Sequence, residues 1–145
     1  DYLLYTAAKQ PTLQLLWKAL TDVMQEYFQA AENNAQDLVT RVNEYLSRHY
    51  MDCTLTVQST ASDLGFVHTY LCSAYKRNSG LTINQKLTQL RMAQAKKLLA
   101  DPSRKLYEVA HSVGYSDGKY FVKLFTKEVG IHPKLYQENM NCYEE

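Results

Sequence analysis

An internal repeat constrains the fold of this chain more than any other feature of its sequence, because a repeat defines the structural unit. The first copy comprises Ala61, Leu64, Gly65, Phe66, Tyr70, Leu71, Tyr75, Arg77 and Gly80. The second copy comprises Ala110, Val113, Gly114, Tyr115, Tyr120, Phe121, Phe125, Lys127 and Gly130. The offset is 49 residues up to the glycine–aromatic pair and 50 after it, which places one extra residue between Ser116 and Lys119. We therefore expect two copies of one small unit.

Each copy is predicted to be a helix-turn-helix. In the first copy, Gly65 tolerates the left-handed conformation that commonly ends a helix. The small Ala61 lets two helices cross closely, and Leu71 and Tyr75 lie four residues apart on one face of the second helix. The second copy has the same residue types at corresponding positions. Five tyrosines fall on inward positions and are expected in the core: Tyr45, Tyr75, Tyr115, Tyr120 and Tyr136.

A long helix is predicted between the two copies. Thr82 can cap a helix that runs to about Ala100, and the pair Asp101-Pro102 would end it. Its apolar positions are Ile83, Leu87, Leu90, Ala93 and Leu98. At ~1.5 Å per residue this linking helix would be roughly 25 Å long. With the width of the units at its ends, it suits two reading heads about one DNA turn, ~34 Å, apart.

The segment before the repeat is predicted to be helical as well. Its apolar residues step by three and four, and they are Leu13, Leu16, Leu20, Val23 and Tyr27, widened by Trp17, Met24 and Phe28. This pattern predicts a helix over residues ~12–31 that must pack on something. Glu32, Asn33 and Asn34 interrupt it, and a second amphipathic helix is expected to about Tyr50. We place a domain boundary near residue 35.

Composition excludes several classes of protein. With 5 glycines, 3 prolines and few segments that alternate at period two, the 145 residues indicate an all-α chain. No apolar run approaches the ~18 residues of a membrane span, and residues 1–4 lack the basic start of a secretory signal. We expect a soluble, cytoplasmic protein without membrane contact. Cys53, Cys72 and Cys142 form no C-x-x-C pair and are expected to be reduced thiols.

The net charge of +1 is the sum over three segments that differ in charge. Residues 1–36 sum to −2, residues 37–138 to +5 and residues 139–145 to −2. A basic body of about a hundred residues permits an anionic partner, although charge alone does not identify one.

Residues ~37–138 resemble the DNA-binding domain of AraC/XylS-type transcription regulators. The strongest match is the segment Tyr107–Asp117, with further motif residues on either side. These residues are Tyr70, Leu71, Lys76, Arg77, Gly80, Arg91, Ala95, Leu98, Leu99, Tyr120, Phe121, Phe125, Gly130, Pro133 and Tyr136. The resemblance implies an all-α fold of two helix-turn-helix units joined by a long linking helix and preceded by an N-terminal amphipathic helix. The second helix of each unit would enter the major groove of double-stranded DNA.

The resemblance also implies which residues contact DNA. On the first recognition helix these are Thr69, Cys72 and Ser73, with Lys76 and Arg77. On the second they are Gly118, Lys119, Val122, Lys123 and Lys127. Lys119 and Lys123 can meet guanine acceptors or phosphates, whereas Lys127 is placed nearer the DNA backbone. The first helix-turn-helix unit offers only small neutral side chains, Cys72 and Ser73, for contact with the bases. Its base recognition is therefore expected to be weaker.

Some positions depart from the family pattern. Val67 stands where a serine or aspartate usually caps the first recognition helix, Thr60 stands where the second copy has Val109, and Gln137 replaces a terminal arginine. These changes are expected to lower affinity without changing the fold. Arg91, on the linking helix, is interpreted as a structural residue, with phosphate contact as the alternative.

Other chemistries find less support in the sequence. His68 and Cys72 are spaced to share a metal ion, but two further ligands are missing, so we expect neither a metal nor a cofactor. No local signature indicates a Cys-His hydrolase, so no catalytic residue is assigned and no enzyme activity is expected.

The sequence therefore predicts a bacterial-type transcription regulator that binds a promoter or operator. Residues 1–35 would be a linker or dimerisation segment, 36–138 the DNA-binding domain and 139–145 a tail. Within the domain we place the first helix-turn-helix at about 55–80, the linking helix at 82–100 and the second helix-turn-helix at 104–130. Because the family usually has a sensing domain upstream, we expect a fragment of a larger regulator, and a two-component response regulator is the favoured parent.

Two further partners follow from this interpretation. Residues 12–31 could form a homodimer, and RNA polymerase is a possible partner of a regulator. The alternative function is a helical protein-interaction module whose working surface is the apolar N-terminal helix and whose basic face is incidental.

Overall fold

The computed structural model of the protein describes the backbone of residues 11–141 and the side chains of residues 12–30 and 34–140. Over that part of the chain it is all-helical. The helices are α1 (Pro11–His49), α2 (Val57–Leu64), α3 (His68–Ser79), α4 (Ile83–Leu99), α5 (Leu106–Ser112), α6 (Gly118–Val129) and α7 (Pro133–Asn141). Cys142 and the first ten residues lie outside the described residues. None of these helices is long and apolar enough to cross a membrane.

The chain divides into two compact units between Leu38 and Val39. In the first unit, the apolar side chains of α1 are exposed to solvent, with Trp17 at 66% and Tyr27 at 73% of their full accessibility. The predicted break at Glu32–Asn34 is wrong, because α1 is continuous from Pro11 to His49. Glutamate is a good helix former and asparagine costs only a fraction of a kcal/mol, so without glycine or proline these residues do not end a helix.

In the second unit, the last three turns of α1 anchor the first head, which we define as α2 and α3. Val42 and Leu46 are fully buried. The Tyr75 hydroxyl donates a hydrogen bond of 2.8 Å to Oδ1 of Asn43, and a guanidinium nitrogen of Arg41 donates one of 3.2 Å to the Leu64 carbonyl. These contacts fix the last turns of α1 against both helices of the first head.

The start and end of α2 follow from its local sequence. Thr56 accepts a hydrogen bond from the Ser59 backbone at 3.0 Å, and the Ser59 hydroxyl accepts one from the Thr56 backbone at 3.0 Å, which is a reciprocal cap. Gly65, at φ 75°, ends the helix in the left-handed conformation. Thr60 is fully buried and its hydroxyl donates to the Thr56 carbonyl at 2.9 Å, so the threonine at this core position has its hydrogen bond satisfied.

The linking helix α4 is capped at its start and covers Ile83–Leu99. Thr82 and Gln85 cap it reciprocally, with bonds of 2.8 and 3.1 Å, and it ends at Leu99. Gln137, which stands where the family often has arginine, donates to the carbonyls of Asp101 and Arg104 at 2.9 and 3.1 Å. It therefore secures the turn after α4.

The second head, defined as α5 and α6, has its own core with the C-terminal half of α4. Its buried residues are Met92, Ala95, Leu99, Val109, Ala110, Val113, Tyr115, Phe121 and Phe125. The ring centroids of Phe121 and Phe125 lie 5.8 Å apart, and Tyr136 of α7 meets Phe125 edge-on at 5.6 Å. Helix α7 therefore closes this core, and it continues to Asn141, past the predicted end of the domain at residue 138.

Candidate nucleic-acid interface

The two recognition helices, α3 and α6, begin in different ways. The Asp117 carboxylate accepts hydrogen bonds from the backbone N–H groups of Lys119 at 2.8 Å and Tyr120 at 3.3 Å, which caps α6. At the corresponding position of α3, Val67 makes no side-chain cap, as its residue type predicts. The start of α6 is therefore the better fixed of the two.

A lysine stripe follows the exposed face of α6. Lys119, Lys123 and Lys127 are all exposed and recur at every fourth residue. Across the described side chains, the ion pair that forms is Arg104 with Asp101 at 3.5 Å, so no carboxylate holds these ammonium groups. Such a stripe has three cations available for phosphates or guanine edges.

The other two residues predicted to contact DNA in the second head are less accessible. Gly118 is the first residue of α6 and is partly buried. Val122 is partly buried too, and it packs against the core of the second head. Its contribution to the exposed face is therefore limited to part of its side chain.

The predicted residues of the first head lie along one side of α3. Thr69, Ser73, Lys76 and Arg77 are exposed, and Cys72 is half-buried. These residues, except Arg77, line a groove of about 940 Å³ between α3 and the first turns of α2 and α4. The structure therefore brings four of the five residues predicted for this head to one concave surface.

A comparable groove borders the second recognition helix. It measures about 860 Å³ and is lined by the starts of α5 and α6, including Tyr107, Asp117, Lys119 and Val122. Both heads thus present the N-terminal part of a recognition helix beside an open groove. That is the end which contacts base edges in helix-turn-helix proteins.

Arg91 is buried in the linking helix at 7% exposure, and it takes no part in this surface. Its Nε donates to the Tyr50 carbonyl and its Nη2 to the Asp52 carbonyl, each at 2.8 Å. Its guanidinium carbon lies 4.9 Å from the centre of the Tyr115 ring. The structural interpretation of Arg91 is confirmed, because all of these contacts are internal.

Two tyrosines were not predicted at the surface. Tyr120, expected in the core, is 54% exposed, as is Tyr70 at the equivalent position of the first head. The buried residue of each pair is the next one, Leu71 or Phe121. The repeat contains a sequence signal for this exposure. In both copies an aromatic residue directly precedes the buried residue of the recognition helix, so it lies on a neighbouring, more exposed face. Each hydroxyl can donate a hydrogen bond to a phosphate.

The predicted pair of His68 and Cys72 does meet, with Sγ 3.7 Å from Nε2. No third histidine, cysteine or carboxylate joins them in the described part of the chain. Cys53 and Cys72 are both free thiols.

Comparison with known proteins adds the family. The family described as "Helix-turn-helix domain" matches residues 61–139, which is more than half of the chain and includes the second head and all of the first except the start of α2. The chain belongs to the AraC/XylS-type helix-turn-helix family. The expected fold class is confirmed with it, as an all-α double helix-turn-helix with a linking helix and an N-terminal helix.

Relatives within this family include regulators and response regulators. The chain is 30% identical over 99 residues to the HTH-type transcriptional activator RhaR of Cronobacter sakazakii, a match that covers 61% of this chain and 35% of that protein. The C-terminal domain of AraT, a response regulator from Geobacillus stearothermophilus, is 31% identical with a TM-score of 0.68, covering 70% of this chain and 84% of that one. The corresponding domain of the two-component response regulator yesN from Fusobacterium nucleatum is 34% identical with a TM-score of 0.65, covering 72% and 98%.

The chain spans about a third to a half of the length of the first curated relatives it matches. The family model and the matched domains identify this chain as carrying a helix-turn-helix domain of the AraC/XylS type.

Proposed function

We propose that this chain binds a specific site on double-stranded DNA and is the DNA-binding part of a larger transcription regulator. The single observation that carries the proposal is the lysine stripe of α6, which lies on the exposed face of a capped helix that follows a helix-turn-helix turn. Helices α3 and α6 enter successive segments of the major groove, and α4 sets their separation.

The residues have different roles in this proposal. Lys119 and Lys123 contact guanine acceptors or nearby phosphates, and Lys127 contacts the DNA backbone. In the first head, Thr69, Cys72 and Ser73 face the bases, while Lys76 and Arg77 meet phosphates from the last turn of α3. Tyr70 and Tyr120 add hydroxyl donors on the two recognition helices.

Binding, not catalysis, is the activity that this surface supports. The relatives of known role that the chain matches are transcription regulators. A DNA-reading surface of lysines, small side chains and tyrosines needs no cofactor. A regulator that acts on bacterial promoters works in the cytoplasm, where the chromosome lies.

A two-component response regulator is the proposed parent. The two solved domains described above each come from a protein described as a response regulator. In such a parent a sensing domain would precede this chain, and α1 would be the connecting helix.

The exposed apolar face of α1 supports a homodimer through residues 12–31. Side chains such as Leu16, Trp17 and Val23 are 63–67% exposed, which is more apolar surface in one stripe than a soluble helix usually leaves open. Two linked DNA-binding modules would raise each other's effective concentration on repeated sites. RNA polymerase is the further partner that an activating regulator would contact.

Selection of bound fragments from random duplex DNA tests the proposed function. The expected result is an enriched site with two half-sites about 10 base pairs apart, matching two heads on one DNA face. Affinity for the enriched site should fall steeply with salt, with a slope of about −0.9 per phosphate contacted.

The interaction module of the alternative interpretation predicts something different. An apolar interface responds weakly to salt, and it would enrich no DNA sequence. A pool that stays random after repeated selection would contradict the proposed function.

A further inference from the structure

The two heads differ in the charge of the side chains at the start of their recognition helices. Between Val67 and Tyr75 the first head has neither lysine nor arginine, whereas the corresponding stretch of the second head has Lys119 and Lys123. Without lysine or arginine in the first turns of its recognition helix, the first head cannot make the bidentate contact with guanine. That contact is the commonest specific one in the major groove.

The Ser73 hydroxyl of the first head is already engaged within its own helix. The Ser73 hydroxyl donates to the carbonyls of Thr69 at 2.9 Å and Tyr70 at 3.1 Å. The Cys72 thiol faces the His68 ring at 3.7 Å. A donor that is bonded to its own helix has less to offer to a base edge, so Ser73 is a weak candidate for hydrogen bonding to a base.

Apolar groups remain at the leading end of α3. Val67, immediately before the helix, is 70% exposed, which is unusual for a valine. Thr69 is exposed and brings its γ-methyl group to the same end of the helix, and Cys72 follows three residues later on the side that lines the groove. The methyl group of Thr69 and the sulfur of Cys72 lie beside the groove, and the exposed isopropyl group of Val67 precedes them at the start of α3. All three groups are uncharged and small.

We propose that the first head recognises thymine through its C5-methyl group, with Val67, Thr69 and Cys72 as the residues that contact it. Thymine is the base that presents an apolar group in the major groove, and threonine methyl groups and other small apolar side chains are suited to contact it. The proposal rests on the proposed function and defines what one half of its site reads. The half-site under the first head is specified by thymine, and the half-site under the second head by guanine.

Removal of single methyl groups from the DNA tests this directly. A selected duplex is resynthesised with deoxyuridine in place of each thymine, which removes the C5-methyl group and leaves the pairing edge unchanged. The half-site under the second head is assigned as the one whose base preferences relax in the Lys119→Ala variant. Each deoxyuridine that replaces a thymine specified by the selection under the first head should weaken binding by about fourfold, as expected for one buried methyl-sized group. Deoxyuridine under the second head should change affinity by less than twofold.

Matched variants identify the protein side of the contact. Thr69→Ser removes one methyl group and keeps the hydroxyl, and Val67→Ala shortens the exposed valine. Each variant should bind the thymine site several-fold more weakly than the parent chain and lose its response to deoxyuridine at one position. Thr54→Ser, which removes a methyl group from an exposed threonine and keeps its hydroxyl bond to Asp52, should keep the full response. Circular dichroism establishes that each variant is folded.

The outcomes separate this inference from the proposed function. A selected site that specifies guanine or cytosine under the first head would overturn the inference and leave DNA binding intact. An equal response to deoxyuridine in the parent chain, Thr69→Ser and Val67→Ala would overturn it as well. If no duplex is enriched at all, the proposed function fails and the inference fails with it.

Discussion

The side chain of Arg91 donates a hydrogen bond from Nε to the carbonyl oxygen of Tyr50 at 2.8 Å. This bond ties the middle of the linking helix to the chain just after α1. The same guanidinium packs over the ring of Tyr115, in the turn of the second head. One buried cation therefore joins three parts of the DNA-binding unit, and its charge is compensated by two carbonyls and an aromatic face.

Replacement of Arg91 should destabilise the protein. Arg91→Ala removes the side-chain donor from the Tyr50 carbonyl and leaves the Asp52 carbonyl only the backbone N–H of Leu55 at 3.3 Å. We therefore expect the free energy of unfolding to fall by about 2–4 kcal/mol. Urea denaturation followed by circular dichroism measures the change. The exposed Lys97→Ala on the same helix is the control and should cost less than about 0.5 kcal/mol. Equal stability of the two variants would show that the buried contacts contribute nothing.

Glycine at position 114 has two separate constraints that a matched pair of variants can resolve. Gly114 and Gly130 have almost the same positive φ, 88° and 89°. A Cβ at Gly114 would lie 2.5 Å from the Tyr50 carbonyl oxygen, whereas at Gly130 it would meet nothing within 4 Å. Both alanine variants should incur the left-handed penalty of about 1–2 kcal/mol.

Gly114→Ala should cost about 1–3 kcal/mol more than Gly130→Ala, because it also displaces Tyr50 or Arg91. Thermal unfolding of the two variants side by side makes the comparison. A difference near zero would mean that the close approach of Tyr50 is relaxed without cost.

The hydroxyl of Tyr45 should make stability depend on alkaline pH. Its hydrogen bond to the Asp63 carboxylate, with a smaller effect of burial, raises the pKa of Tyr45 from 10.0 to about 12. Because the folded state favours the protonated phenol, this contribution is complete below pH 10 and is lost as pH rises from 10 toward 12. The gap in unfolding free energy between the parent chain and Tyr45→Phe should therefore narrow over that range.

The comparison with Tyr45→Phe isolates one tyrosine among several. Burial also raises the pKa values of Tyr75 and Tyr115, but both proteins share these residues. A gap that stays constant from pH 8 to pH 11.5 would contradict the contribution assigned to the hydrogen bond.

The apolar face of α1 should mediate self-association. In the full chain, Leu16→Lys with Val23→Lys adds two charges to the stripe without touching either head. We expect sedimentation at tens of micromolar to show a dimer for the parent chain and a monomer for the variant. A monomeric parent chain would refute the proposed homodimer.

The sequence predicted the DNA-binding unit well because the determinants of its helices are local. Caps such as Thr82, helix-ending glycines such as Gly65 and a repeat of two copies all mark helix boundaries within a few residues. The continuity of α1 escaped prediction, since Asn33 and Asn34 are weak helix formers that neighbouring residues outweigh.

Two features, one at the surface and one in the interior, depended on tertiary structure. The exposure of Tyr120 depends on how α6 is rotated against its core, and neighbouring helices set that rotation. The bonds from Arg91 span about forty residues of sequence, from the linking helix back to Tyr50 and Asp52. Periodicity within one helix predicts neither.

The affinity of the Lys119→Ala and Lys123→Ala double variant for the selected duplex tests the central claim most directly. The account predicts a loss of about 1–3 kcal/mol for each base contact removed, together with a shallower dependence on salt. A charge-matched control, Lys18→Ala with Lys97→Ala, lies outside both heads and should bind as the parent chain does. Unchanged affinity in a folded Lys119→Ala and Lys123→Ala protein would contradict the account.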